Sequence, residues 1–157
     1  MLSAEEFTVG TFNTAKPGSL VLPRTKYEAL SLICEGDGEP TAVFLDGNYS
    51  FQSFPSGGAD NWKGVVIPDV RIEIDETSLY DPDQNGHALG VVVRQETTLV
   101  IRTKGEHSFG RSIPVVIQSG LPESKGSAAF TKWQIVVGHG DEKRVLHKVD
   151  LGDPPKE

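Results

Sequence analysis

Turn-forming residues divide this chain into short segments, and this spacing constrains its fold more than any other feature. The 17 glycines and 10 prolines separate short runs rich in Val, Ile, Thr, Phe and Tyr. These residue types favour strands. Short strands with turn signals about every eight to twelve residues are typical of an all-β sandwich or barrel. The sequence therefore predicts an all-β, jelly-roll-like antiparallel sandwich of roughly eight to ten strands, with a closed β-barrel as the alternative.

Polar and apolar residues alternate in the C-terminal part of the chain, on either side of a turn at residues 138–141. Alternation places successive side chains on opposite faces of a strand. We expect the following side chains to point into the core: Trp133, Ile135, Val137, Val145, Val149 and Leu151. Gln134 should face outward. Val136 departs from the alternation, which predicts that its face of the sheet is half covered.

Other segments predict central strands or turns. The runs 65–67, 91–93, 99–101 and 115–117 are apolar throughout, as in strands that are covered on both faces. Asp46-Gly47 favours a tight hairpin between residues 41–45 and 48–54. The segment Thr25–Glu35 begins with a helix capping box but also fits a buried strand. The all-β surroundings favour the strand.

The length of 157 residues is that of one domain. We predict a single β domain over residues 1–151 and a frayed tail over 152–157. Two segments, 55–61 and 75–88, interrupt the strand pattern most and are predicted to be long loops. Binding and catalytic residues on a β scaffold are found most often in such loops.

An aromatic cluster suggests a ligand surface. It comprises Phe44, Tyr49, Phe51, Phe54 and Trp62. Aromatic rings on an exposed face stack against flat partners, whereas the same rings in a core contribute much of the buried area. The core is the favoured interpretation. The candidate ligand-binding residues are Trp62, Tyr49 and Phe51, together with Asp60 of the adjoining loop.

The segment Asp81-Pro82-Asp83-Gln84-Asn85-Gly86 has oxygen-bearing side chains at alternate positions, as in a calcium loop. Asp81, Asp83 and Asn85 are therefore candidate calcium ligands. An EF-hand loop ends in a bidentate Glu at its twelfth position, and Val92 stands there in this chain. Because Asn-Gly is itself a strong turn signal, a plain turn with no metal or other cofactor is the favoured interpretation.

The remaining chemistry-bearing residues define no active site. The four histidines (His87, His107, His139 and His147) lack the spacing of a zinc site. The single cysteine, Cys34, lies in an apolar run, where a thiol behaves as a small hydrophobe. A metal-dependent, cupin-like β-barrel enzyme that uses loop histidines is an alternative. The sequence favours a protein that is not an enzyme.

Charge and hydropathy limit the partners. The net charge is −7, and the cations are scattered, so nucleic acid is not a favoured partner. Single-stranded DNA binding by an OB-like domain is the weaker alternative. No apolar stretch reaches the roughly 20 residues that span a bilayer, and no signal peptide is apparent, so we predict a soluble, cytoplasmic protein without a membrane partner. The leading hypothesis is a non-catalytic binding or assembly module of unknown ligand, with a homo-oligomer as the candidate assembly.

Overall fold

Strands are the main secondary structure of the protein. The structure is a computed structural model that describes residues 2–23, 29–58, 63–85, 88–105 and 112–156. The strands in these ranges are β1 (Thr8–Thr11), β2 (Ser19–Pro23), β3 (Ser31–Cys34), β4 (Thr41–Phe44), β5 (Gln52–Pro55), β6 (Lys63–Ile67), β7 (Arg71–Ile74), β8 (Leu79–Tyr80), β9 (Val92–Gln95), β10 (Thr98–Gly105), β11 (Ile113–Gln118), β12 (Ser127–Phe130), β13 (Lys132–Val137) and β14 (Arg144–Asp150). The described part also contains α1 (Pro82–Asn85) and three short 3-10 turns. The all-β prediction is confirmed, with more strands than expected.

Eleven strands form one large sheet. Its order is β1-β6-β2-β3-β4-β5-β10-β9-β12-β8, and β11 pairs with β10 beside this path. The neighbouring strands are antiparallel except for β5 and β10, which run parallel where Gln52 lies opposite Lys104 and Ser53 lies opposite Gly105. Within the described strands, β1 and β8 at the two ends of this order do not pair with each other. The sheet as a whole is therefore open, and the closed barrel is not formed.

The other three strands form a second sheet in the order β14-β13-β7. Side chains of both sheets share one buried cluster, in which Val43 and Ile101 of the large sheet lie with Trp133 and Ile135 of the small one. The exposed fraction of each of these four side chains is 3% or less. Burial of apolar surface between packed layers is the dominant favourable contribution to folding. The predicted sandwich is confirmed.

Several strands of the large sheet are covered on both faces. All four residues of β3 (Ser31–Cys34) are buried, as are the runs 91–93 and 99–101. On one face of β3, Leu32 and Cys34 belong to the main core; on the other face, Ile33 packs in a second cluster that includes Phe12. The favoured strand is thus confirmed for residues 31–34. Residues 24–28, in the earlier part of that segment, lie outside the described residues.

The C-terminal hairpin follows the predicted alternation up to an irregularity in its register. Trp133, Ile135, Val137 and Val149 are buried, and the Gln134 side chain faces outward and donates a hydrogen bond to Glu73. Ile135 lies opposite His147, but Val136 lies opposite Val145, so β14 contains one additional residue, Leu146. Such a bulge reverses which side chains point inward.

The burial of this hairpin differs from the prediction at two residues. Because of the bulge, Leu146 packs against the core, whereas Val145 is 43% exposed rather than buried. Leu151 packs against the core as expected and is partly buried. Val136 is completely buried within the chain itself rather than half covered.

The first hairpin is paired as predicted, but its connection is longer than a tight turn. β4 ends at Phe44 and β5 begins at Gln52. The connection includes Gly47, whose φ of 79° suits glycine. The turn of this hairpin is therefore wider than the Asp46-Gly47 signal alone predicted.

The segment 75–88 is not one long loop. The Asp75 carboxylate accepts a hydrogen bond from the Thr77 amide and begins a 3-10 turn, Glu76–Ser78. β8 follows and pairs with β12, which buries Tyr80. α1, with four residues, comes next. No helix within the described ranges is long and apolar enough to cross a membrane.

Candidate functional site

Five strands surround the main candidate site. β3, β4 and β5 are antiparallel neighbours, β5 pairs in parallel with β10, and β10 pairs with β11. Immediately after β3, the amides of Glu35 and Gly36 donate hydrogen bonds to the carbonyls of Ile117 and Val116 in β11, over 3.4 and 2.9 Å. The five strands therefore curve into an incomplete ring at this end of the large sheet, because β3 and β11 are joined by these two hydrogen bonds beyond β3 and not by strand pairing.

A cleft of about 530 Å³ opens at the mouth of this ring. Its described lining consists of Gly36, Asp37, Glu39, Thr41, Ser53, Phe54, Pro55, Gly105, Ile113, Pro114 and Val115. The strand registers explain this set, because Thr41 lies opposite Pro55, and Ser53 lies opposite Gly105. Residues opposite each other in a sheet share one face. The Thr41, Ser53 and Pro55 side chains therefore face the interior of the ring, whereas Phe54, between Ser53 and Pro55, points to the opposite face of β5.

A pair of buried hydroxyl groups lies at the base of the cleft. The Ser53 Oγ and Thr103 Oγ1 atoms lie 2.8 Å apart, and Thr103 also donates to the Ile113 carbonyl over 3.4 Å. Ser53 is 5% exposed and Thr103 is fully buried. Because both hydroxyls are hydrogen-bonded, the base carries polar groups without an energetic penalty for their burial.

The rim of the cleft is acidic on one side. Asp37 and Glu39 are exposed residues of the turn between β3 and β4. That turn requires Gly36, whose φ is 70° and whose position would place a Cβ 2.2 Å from the Glu39 carbonyl oxygen. The described lining contains two carboxylates and no Lys, Arg or His. The cleft is therefore a site of negative charge.

The other walls are apolar, and Pro55, Ile113, Pro114 and Val115 provide them, with Phe54 bordering the cleft from the opposite face of β5. Phe54 is held in place by other aromatic rings, because its ring centroid lies 4.9 Å from that of Phe44 and 5.9 Å from that of Phe12. The described lining thus offers apolar contact, hydroxyl groups and negative charge.

Cys34 lies on the same side of β3 as the main core and is fully buried. Burial raises the pKa of its thiol far above the usual range, and the neighbouring Glu35 adds to the effect. A thiol becomes a nucleophile only as the thiolate. Cys34 is therefore a packing residue, as its apolar surroundings in the sequence predicted.

The candidate ligand-binding residues of the aromatic cluster are separated. Tyr49 lies in the turn before β5 and is 67% exposed. Phe51 is half-buried, packs against the main core and has a φ of 64°. Both residues belong to the segment 48–54, which was predicted as the second strand of the first hairpin; they instead lie in the turn before β5, with different exposure. Asp60 and Trp62 lie outside the described residues.

The candidate calcium ligands lie at the short helix α1. The Asp81 Oδ1 atom accepts a hydrogen bond from the Asp83 amide over 2.9 Å, which caps the first turn of the helix. Asp83 is exposed, and Asn85 is the last residue of α1. Gly86 lies outside the described residues. Within the described ranges, no group of three or more His, Cys, Asp or Glu side chains could hold a metal ion.

Two of the four histidines can be placed. His139 is exposed, and its Nε2 atom lies 3.5 Å from the Arg71 guanidinium. His147 is half-buried; burial lowers its pKa, while Asp46 and a hydrogen bond to the Leu45 carbonyl act in the opposite direction. His87 and His107 lie outside the described residues.

Sequence comparison identifies the family. Residues 9–157 match the family described as "Uncharacterised protein y4lG". The chain is also similar to a Sinorhizobium fredii protein described as "Uncharacterized protein y4lG", with 49% identity over 147 residues, which cover 93% of this chain and 91% of that protein. No solved structure is significantly similar to the chain. With nearly its whole length matched, the chain belongs to the y4lG protein family.

Proposed function

We propose that the protein is a non-catalytic binding module and that the cleft receives its ligand. The observation that supports this proposal is the cleft itself, which lies on a strand scaffold and has a volume of about 530 Å³. Small-molecule sites usually occupy about 300–1,000 Å³ and combine apolar walls with a few polar groups. The apolar walls, the buried hydroxyl pair and the acidic rim have this composition.

The proposal predicts that a substitution which fills the cleft abolishes ligand-dependent stabilisation. A small-molecule library is screened for compounds that raise the melting temperature of the native chain. A ligand at a hundredfold excess over its Kd stabilises the folded state by about 2.7 kcal/mol. Ile113, the first residue of β11, is 37% exposed at the mouth of the cleft. In Ile113→Trp the larger side chain should occupy the mouth, and the compound should no longer raise the melting temperature.

Leu79→Trp is the matched control. Leu79 is an exposed apolar residue at the start of β8 and does not line the cleft. The compound should stabilise this variant as much as the native chain. Equal stabilisation of both tryptophan variants would show that the compound binds elsewhere and would contradict the proposed site.

A specific observation also favours assembly as a second candidate function. β1 is the first strand of the large sheet and pairs with β6 alone among the described strands. Its Val9 side chain is 77% exposed. A strand edge with an exposed apolar side chain is a template for pairing with another chain. In this second proposal, two copies of the chain pair through β1.

Light scattering coupled to size-exclusion chromatography tests this second proposal. The native chain should elute with twice the 17.0 kDa mass of one chain. Val9→Lys should shift it to a single chain, because an edge lysine opposes strand pairing. Tyr49→Lys, which places the same charge on an exposed turn, should leave the mass unchanged. A native mass of 17.0 kDa would contradict pairing through β1.

A further inference from the structure

We infer that the ligand of the cleft is a small organic cation, an ammonium or guanidinium group on an apolar body. This inference rests on the proposed function, since it assigns a chemical class to the ligand of the same site. Three features of the cleft support it: the charge of the rim, the character of the walls and the volume.

The charge of the rim favours a cation over an anion. Asp37 and Glu39 line the cleft, and its described lining has no basic side chain to pair with an anionic group. The whole chain carries 22 acidic and 15 basic side chains, so its overall field also attracts cations. Among the described lining residues, an anionic ligand would meet two carboxylates and no compensating positive charge.

The walls favour a cation that is attached to an apolar body. Pro55, Ile113 and Pro114 offer apolar surface on both sides of the cleft, which a fully hydrated metal ion would not use. The apolar body would contact the walls while the charged group remains near the rim.

The volume of the cleft limits the size of the ligand. The hydrogen bond between the Ser53 and Thr103 hydroxyls links β5 to β10 beside the cleft, and of the two residues only Ser53 belongs to the described lining. A volume of about 530 Å³ holds a small molecule rather than a folded segment of a partner. The Ser53 hydroxyl also offers one polar contact at the base.

Three probes with one body and different end groups test the inference: 4-phenylbutylamine, 4-phenylbutanol and 4-phenylbutyrate. Their dissociation constants are measured by calorimetry on the full chain at low salt. The amine should bind about two- to fivefold more tightly than the alcohol, as expected from exposed ion pairs. The butyrate should bind most weakly. At about 1 M salt, where the Debye length is about 3 Å, the preference for the amine should shrink.

The double variant Asp37→Asn with Glu39→Gln should abolish the preference for the amine and leave the affinity for the alcohol unchanged. The matched control is Asp141→Asn with Glu142→Gln, which removes the same two charges from the exposed 3-10 turn before β14. This control should retain the preference. If the rim variant retains it, or if both variants lose it equally, the assignment of the cationic group to the rim is overturned.

The outcomes separate this inference from the proposed function. If amine and alcohol bind equally and Ile113→Trp abolishes both, the cleft is a binding site, but its ligand is not selected for positive charge. If binding of every probe survives Ile113→Trp, the cleft is not their site and the proposed function fails as well. If the amine does not bind but a blocked Phe-Lys-Phe peptide does, a protein segment replaces the small molecule.

Discussion

Trp133→Ala should lower the free energy of unfolding by about 3–5 kcal/mol, the usual cost of deleting a buried aromatic side chain. The Trp133 side chain is 3% exposed and lies in the core that both sheets share. Its Nε1–H group donates a hydrogen bond to the Gly90 carbonyl over 2.8 Å. The substitution removes this donor as well as the ring. Because a whole domain is usually stable by about 5–15 kcal/mol, the loss should be evident in a urea melt.

Two further variants make the result specific. Glu142→Ala, in the exposed turn before β14, should stay within about 0.5 kcal/mol of the native chain, as surface changes usually do. Trp133→Phe keeps most of the apolar contact but cannot donate to Gly90, so its midpoint should fall between the other two. Equal midpoints for Trp133→Ala and Glu142→Ala would mean that the indole ring is exposed and that the sandwich core does not include it.

The position of Trp133 could be predicted from the sequence because its evidence is local. Alternation over residues 133–137 places every second side chain on one face, and the following turn fixes the partner strand. The bulge at Leu146 could not be predicted in this way. A bulge changes the register by one residue without an obvious change in composition, so Val145 and Leu146 exchange their expected positions.

The topology of the large sheet could not be predicted because its decisive contacts join distant segments. The parallel pairing of Gln52 and Ser53 with Lys104 and Gly105 links two halves of the chain. Each of these strands has an ordinary β pattern, and no local feature identifies its neighbour. Parallel strands are joined by a long connection and are therefore not consecutive in the chain. A prediction that pairs each strand with the next one in sequence cannot identify such a pair.

The cleft was missed for the same reason. Its lining comes from four separate segments, residues 36–41, 53–55, 105 and 113–115. In the sequence, the stretch Gly36-Asp37-Gly38 matches neither a phosphate-binding loop nor a dinucleotide-binding fingerprint, so it does not point to a site. Asp37 and Glu39 face the cleft because the β3–β4 turn lies across from β11. The backbone hydrogen bonds after β3 hold the turn in that position, and they join segments far apart in the sequence.

Gly90 connects the two sheets at the end of the Trp133 ring. Its carbonyl accepts the hydrogen bond from Trp133, and its amide donates to the Arg102 carbonyl in β10 over 2.8 Å. The Phe51 ring lies against its Cα, so a Cβ at position 90 would be 2.6 Å from two ring atoms. The φ of Gly90 is 85°, a left-handed conformation that other residues adopt with strain. Position 90 therefore restricts both the side chain and the backbone.

Gly90→Ala should accordingly destabilise the protein by about 2–5 kcal/mol. Of this, about 1–2 kcal/mol comes from an L-residue in the left-handed region, and about 1–3 kcal/mol comes from overpacking against the Phe51 ring. Gly47→Ala separates these contributions, because Gly47 has a φ of 79° and no atom within 4 Å of its Cβ position. Gly47→Ala should therefore lower the free energy of unfolding by the backbone contribution alone.

A Phe51→Ala background tests the contact itself. There, the destabilisation caused by Gly90→Ala should fall toward that of Gly47→Ala, because the ring that the new methyl group would meet is absent. Urea melts of the four variants and the native chain measure this coupling, which for residues in contact is about 0.5–3 kcal/mol. If Gly90→Ala lowers the free energy of unfolding no more than Gly47→Ala does, the Phe51 ring does not pack on Gly90. The turn before β5 would then not contact the core beside Trp133.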